Sequence, residues 1–155
     1  MNDENNKFDF NIDEVVNNHV CCDSEILICE SDKFMENIYK MCIKKFSDGK
    51  IKVSYTENGK ECVSKILTKE ICQNCKQFKL LFLSTLTQEL SGYEIVNILH
   101  KELLDSNYLN IVIPTASEVE EVKESMGNGV KIIKEIVSKP LKAKTINEML
   151  KKYLI

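Results

Sequence analysis

Lys139, with Pro140 directly behind it, closes the last strand-like run of this 155-residue chain. Thr115 closes the run that begins Ile111-Val112-Ile113, Ser84 follows Leu80-Leu81-Phe82-Leu83, and Glu30-Ser31 follows Ile26-Leu27-Ile28-Cys29. An ammonium with two hydroxyls can hold a phosphate-like anion, and a carboxylate beside other oxygens can help hold a hard divalent cation. Nucleophilic chemistry at Ser84 asks for more. An un-ionised hydroxyl needs an adjacent base, and the neighbouring residues supply none. The other chemical cluster is Cys72-Gln73-Asn74-Cys75. Its spacing suits half of a zinc site or a thiol pair.

The elements that position these residues can be read from periodicity. Residues 25–29 form a continuous apolar run of the kind buried on both faces of a parallel sheet. A helix is expected over 33–46, with Phe34, Ile38, Cys42 and Phe46 on one face. Ser47-Asp48-Gly49 breaks it, 51–55 alternates as a strand, and 60–68 reads as a second helix bearing Val63, Ile66 and Leu67. A polar insert at 71–77 precedes a strand at 80–83, Gly92 opens a third helix, and 110–113 is the fourth strand. A short helix over 118–126, a break at Gly127-Asn128-Gly129, a fifth strand ending at Ser138 and a helix over 143–154 complete the pattern. Five strands alternating with five helices predict an α/β doubly wound parallel sheet, with the flavodoxin-like order 2-1-3-4-5 as one such arrangement. The functional crevice of that sheet lies at the carboxyl ends of its strands. Residues 1–23, rich in Asn and Asp, are expected to form a flexible or loosely docked arm, and 24–155 one domain.

The order and spacing of these residues resemble the receiver domain of response regulators, the CheY-like family, over 25–155. Lys139-Pro140 and Thr115-Ala116 fall where a receiver keeps its Lys and its switch Thr, and the resemblance implies a cis peptide before Pro140. It also implies an acidic pair after strand one, where this chain has Glu30-Ser31, with Asp32 one residue further on. The phospho-accepting Asp would stand at position 84, which is Ser, and the aromatic switch position is Ile136. Of the following loop only Gly92, and Leu90 in place of a Met, keep the pattern. The chain thus looks like a degenerate pseudo-receiver. Mg2+ binding is expected to be lost or weak, because Mg2+ wants an oxygen shell anchored by carboxylates and two of about three are missing. With Ser84 uncharged, Glu30 is the anion expected to pair with Lys139.

Composition excludes other classes. A net charge of -3 with no Arg gives no nucleic-acid footprint. No apolar stretch approaches the roughly 20 residues that span a bilayer, and the acidic start of the chain is unlike a signal peptide. The seven Cys are odd in number, and Cys29, Cys42 and Cys62 fall on expected core positions as small apolar residues. A reducing, cytoplasmic setting is expected. Cys72 and Cys75 supply two of the four ligands structural zinc takes, so no stoichiometric zinc is expected. His19, Cys21 and Cys22 complete a tetrahedral set only if the arm folds back, and His19 and His100 otherwise read as surface residues. The expected role is signalling of the two-component or phosphorelay type through contact with a protein partner, such as a histidine kinase or phosphotransfer protein, and not enzymatic activity. By resemblance, the last helix and the neighbouring face of strand five form the docking surface. Two alternatives stand beside it: a residual phosphorelay receiver that accepts phosphate or binds a phosphate-like anion at Ser84, Thr115 and Lys139, and a Cys-based zinc or redox module.

Overall fold

A strand that is apolar at every position can be buried only if both faces of its sheet are covered. Two strands of this chain meet that condition, β1 (Ile26–Cys29) and β3 (Leu80–Leu83), and every residue of both is buried. They pair with each other in parallel at the middle of a five-stranded sheet. The outer strands are β2 (Val53–Thr56), β4 (Asn110–Thr115) and β5 (Ile133–Ser138). The order is β2-β1-β3-β4-β5 and all pairs are parallel, the flavodoxin-like arrangement. The structure, a computed structural model, describes residues 23–72, 75–103 and 108–154. The expected arm therefore lies outside the described residues, apart from Asp23. Among those residues, no helix is long and apolar enough to cross a membrane.

The helices are α1 (Lys33–Ser47), α2 (Gly59–Ile71), α3 (Gly92–Glu102), α4 (Val119–Met126) and α5 (Ala143–Leu154). A 3-10 segment, Gly127–Ile132, occupies the place read as a simple break. Side chains alternate across each strand, so the period of two divides the core into two layers. Leu27, Cys29, Leu81, Leu83, Ile111 and Ile113 pack with α2, α3 and α4. Ile26, Ile28, Leu80, Phe82 and Val112 pack with α1 and α5. Each such Leu or Ile contributes about 1.5–3 kcal/mol by leaving water. Cys29, Cys42 and Cys62 belong to these layers as expected. A hydrogen bond with Cys29, then burial, pushes the Cys62 thiol well above its ordinary range, which leaves it unreactive.

Three local expectations change. The buried face of α1 is Tyr39, Cys42 and Ile43, whereas Phe34 is 71% exposed. A spacing of four advances about 400° per step, so the stripe Phe34-Ile38-Cys42-Phe46 drifts around the helix and leaves the core at its first turn. Helix α2 continues to Ile71 and makes Cys72 its capping residue, which shortens the expected insert. Strand β4 continues through Pro114 to Thr115; a Pro near the end of a strand removes only one ladder donor.

Strand β5 is an edge strand, tied to α5 by a three-residue clamp. Glu135 accepts from Lys152 and from the Tyr153 hydroxyl, the latter at 2.6 Å. Those hydrogen bonds, Lys152 first, hold the Glu135 carboxyl below its usual range. A depressed carboxylate stabilises the fold above its unfolded pKa, and this stabilisation fades as pH falls through the folded value. Glu135→Gln is therefore expected to lower the melting temperature at neutral pH. The gap to the parent should close in acid, which thermal denaturation across pH checks.

Candidate functional site

The parallel order brings the ends of β1, β3, β4 and β5 to one edge of the sheet. Backbone hydrogen bonds set their spacing: Ser84 N donates to Cys29 O at 3.1 Å, Glu30 N to Thr56 O at 2.9 Å and Lys139 N to Thr115 O at 2.8 Å. Glu30, Ser84 and Thr115 are buried at this edge, Lys139 and Ser31 are half-buried, and Pro140 is exposed. The Lys139–Pro140 peptide is cis, as the resemblance implies. Ile136 sits half-buried in β5, paired with Ile113 of β4. The sequence-derived set thus stands along one edge of the sheet.

Along it, the side chains of Glu30, Ser84 and Thr115 are turned to their own loops. Glu30 is 5% exposed, and its Oε2 accepts from Asp32 N at 3.1 Å. Ser84 is 2% exposed, and its Oγ accepts from Leu86 N at 3.2 Å. Thr115 Oγ1 accepts from Ser117 N at 3.0 Å, and Ser31 Oγ donates to Leu86 O at 3.3 Å. The bonds of Glu30, Ser84 and Thr115 are the short-range ones that such side chains make at strand ends, whereas that of Ser31 reaches across to the loop after β3. Asp32 is the N-cap of α1, accepting from Phe34 N at 2.9 Å, and so is occupied outside the crevice.

The expected Glu30–Lys139 ion pair is not formed. Among the described residues, neither side chain makes a salt bridge. Glu30 turns to the nearby backbone N–H, which satisfies it without crossing the crevice, and its charge adds to the burial that pushes up the Tyr39 hydroxyl. Lys139 instead lines an open cleft of about 510 Å³ with Thr115, Ser138 and the start of α4, including Glu118, Glu120 and Glu121. Sequence reading missed this acidic wall, although Glu118-Val119-Glu120-Glu121 stands three residues past Thr115.

The residues do not fit a Mg2+ site. Among the described residues, no group of three or more His, Cys, Asp or Glu is placed to hold a metal ion, and Glu30 is already bonded to backbone. The loop from β3 to α3 is held down as well. Gly59 N donates to Gln88 O at 2.8 Å, Asn58 Nδ2 donates to Glu89 at 2.9 Å, and the Thr87 hydroxyl donates to Leu90 O. Gly92 closes this loop where a Cβ would stand 2.6 Å from Ser84 O, a backbone atom. That contact leaves no room for a side chain at position 92.

Solved structures share this architecture. A two-component response regulator from Cytophaga hutchinsonii aligns with a TM-score of 0.68 and 14% identity, over 87% of this chain and 98% of its own. The phosphorylated cyanobacterial phytochrome response regulator RcpA gives 0.66 and 13%, over 84% and 91%. A two-component response regulator from Legionella pneumophila gives 0.63 and 20%, over 83% and 96%. The chain has the receiver fold. No family profile and no curated protein matches the sequence.

The other sequence candidates lie elsewhere. Cys72 caps the end of α2 and Cys75 lies on the connection to β3, both half-exposed and at the opposite edge of the sheet from the crevice. His100 is half-buried near the end of α3. His19, Cys21 and Cys22 lie outside the described residues. The packing around Gly92 is directly testable. Gly92→Ala forces a backbone shift at Ser84 and is expected to cost about 1–3 kcal/mol, measured by urea denaturation. Ala at the exposed Gly127 position is the wrong control because its φ is positive; Ser125→Ala, on the exposed face of α4, should change little.

Proposed function

We propose that this chain is a degenerate receiver that works in two-component or phosphorelay-type signalling by binding a protein partner, without phosphorylation of an Asp. The observation that carries this reading is Ser84. The acceptor position holds a hydroxyl that is almost fully buried and already accepts a backbone N–H. No carboxylate or imidazole is positioned to take its proton among the polar groups bonded to it, so it has no route to become a nucleophile. The pinned β3–α3 loop and the occupied Glu30 support a crevice that keeps one state and presents a fixed surface. A partner such as a histidine kinase or a phosphotransfer protein fits this reading, in the cytoplasm and without nucleic acid. By resemblance, α5 and the adjoining face of β5 are the docking surface.

One observation favours a second reading, in which the crevice binds a phosphate-like anion: Lys139 makes no ion pair among the described residues. Glu118, Glu120 and Glu121 around the same cleft weigh against it, since three carboxylates repel the anion that one ammonium attracts. The two readings separate on one measurement. Incubation with acetyl phosphate and Mg2+ is expected to leave the intact mass unchanged, whereas a gain of one phosphate mapped to a crevice residue would sink the proposal.

The metal half of the crevice has its own test. Ser84→Asp adds one carboxylate beside Glu30 and should restore Mg2+ binding poorly. Ser31→Asp with Ser84→Asp rebuilds three and should bind substantially better. Calorimetric titration of Mg2+ into the parent and both variants checks the order, and equal affinity across the three would show that carboxylate count is not what the crevice lacks.

A further inference from the structure

The outer face of α1 is more apolar than a monomer needs. Phe34 and Met41 are each 71% exposed. Leu86 is 77% exposed, on the loop whose carbonyl at that residue accepts from Ser31 Oγ beside the start of α1. A single apolar side chain in water is ordinary, but a row of them at helical spacing is not. At about 100° per residue, Phe34 and Met41 stand within about 20° of each other around the helix. The buried side chains Tyr39, Cys42 and Ile43 centre about 130° further round, so the sheet cannot cover both sets. Half-buried Ile38 continues the outer stripe, which then runs at spacings of four and three. That spacing is the seam by which one helix packs on another.

Charge along the same helix is polarised. At its start, Asp32, Glu36 and Glu57 face one ammonium, Lys33, which pairs with both glutamates. At its end, Lys40, Lys44 and Lys45 stand against one carboxylate, Asp48. Asp32, Lys44 and Lys45 are exposed, and none of the three makes a salt bridge among the described residues. The surface is thus acidic at one end of the apolar stripe and basic at the other.

We propose that α1 pairs with α1 of a second copy of this chain, antiparallel about a two-fold axis beside Ile38. The axis sets Phe34 of each copy against Met41 of the other and brings Asp32 of each toward Lys44 of the other. Each acidic end then meets a basic end, and the two helix dipoles oppose each other. A parallel pair would set like ends together. The apolar stripe alone would suit any amphipathic helix; the self-complementary order of charge is what selects a second copy, since a two-fold interface uses one patch twice. One helix pair buries little surface for a specific complex, so the dimer is weak and reversible. No large apolar side chain of α5 is exposed among the described residues, so this pairing and the partner binding proposed above rest on different residues, and either can fail alone.

Sedimentation velocity of the full chain, with its thiols reduced, should show a reversible shift from monomer to dimer between roughly 1 and 200 µM. Phe34→Glu and Met41→Lys should each lower the association constant at least about tenfold, because either one breaks both symmetric contacts. Both positions are exposed, so melting temperatures should stay near that of the parent. An equimolar mixture of the two variants should associate better than either alone. It keeps one Phe34–Met41 contact and sets the introduced carboxylate against the introduced ammonium, which only the antiparallel register allows. Lys44→Glu with Lys45→Glu should weaken the dimer as well, whereas Lys101→Glu, exposed on α3 across the sheet, should not. A chain that stays monomeric throughout this range overturns the pairing and leaves the stripe to a different protein. A dimer that survives both single substitutions, or a mixture no better than its components, overturns it too.

Discussion

The two-sided burial of β1 and β3 is the constraint on which this molecule rests. Strands with no polar face must be covered above and below, so each parallel neighbour is reached by a helix that crosses one face of the sheet. The crossovers place α2, α3 and α4 on one side and α1 and α5 on the other. Every loop leaving a strand then falls at the same edge. The gathering of Glu30, Ser84, Thr115 and Lys139 in one crevice follows from this topology, whatever those residues do there.

The same burial accounts for the partners that the polar groups at this edge take. A carboxylate as deeply buried as Glu30 requires a donor, and the backbone N–H of Asp32, two residues on, is the nearest in sequence. A hydroxyl in the place of Ser84 carries no charge, so it neither repels Glu30 nor attracts Lys139, and it settles on Leu86 N. Lys139 is left to the open cleft and its acidic wall. The strand ends of the receiver fold are in place, with Glu30 and Ser84 each bonded to the backbone of its own loop.

At the other edge of the sheet the same physics has a different outcome. Lys69 is a buried cation, and it is satisfied by two carbonyl oxygens and an aromatic face. Those carbonyls belong to Ser24, two residues before β1, and to Lys76 in the α2–β3 connection, so the lysine ties the two together. An apolar residue there would fill the space without specifying that approach.

The order and type of the elements were legible in the sequence, because continuous apolar runs and helical spacings report burial directly. The candidate residues at the strand ends were legible too, since their positions depend on element boundaries alone. Phe34 was misread because a four-residue stripe drifts around a helix, and only packing against the sheet selects Tyr39, Cys42 and Ile43 as the buried face. The partners of polar side chains were not legible. Whether Glu30 meets Lys139 or a backbone N–H depends on distances across a crevice that sequence spacing does not contain. The clasp by Lys69 was equally hidden, for the carbonyls it joins lie 45 residues before it and 7 after it in the chain. Residue type and period determined which groups are buried and at which strand ends they stand. Tertiary structure alone decided which of them touch, because hydrogen bonds and charges act over a few ångströms of space and not along the chain.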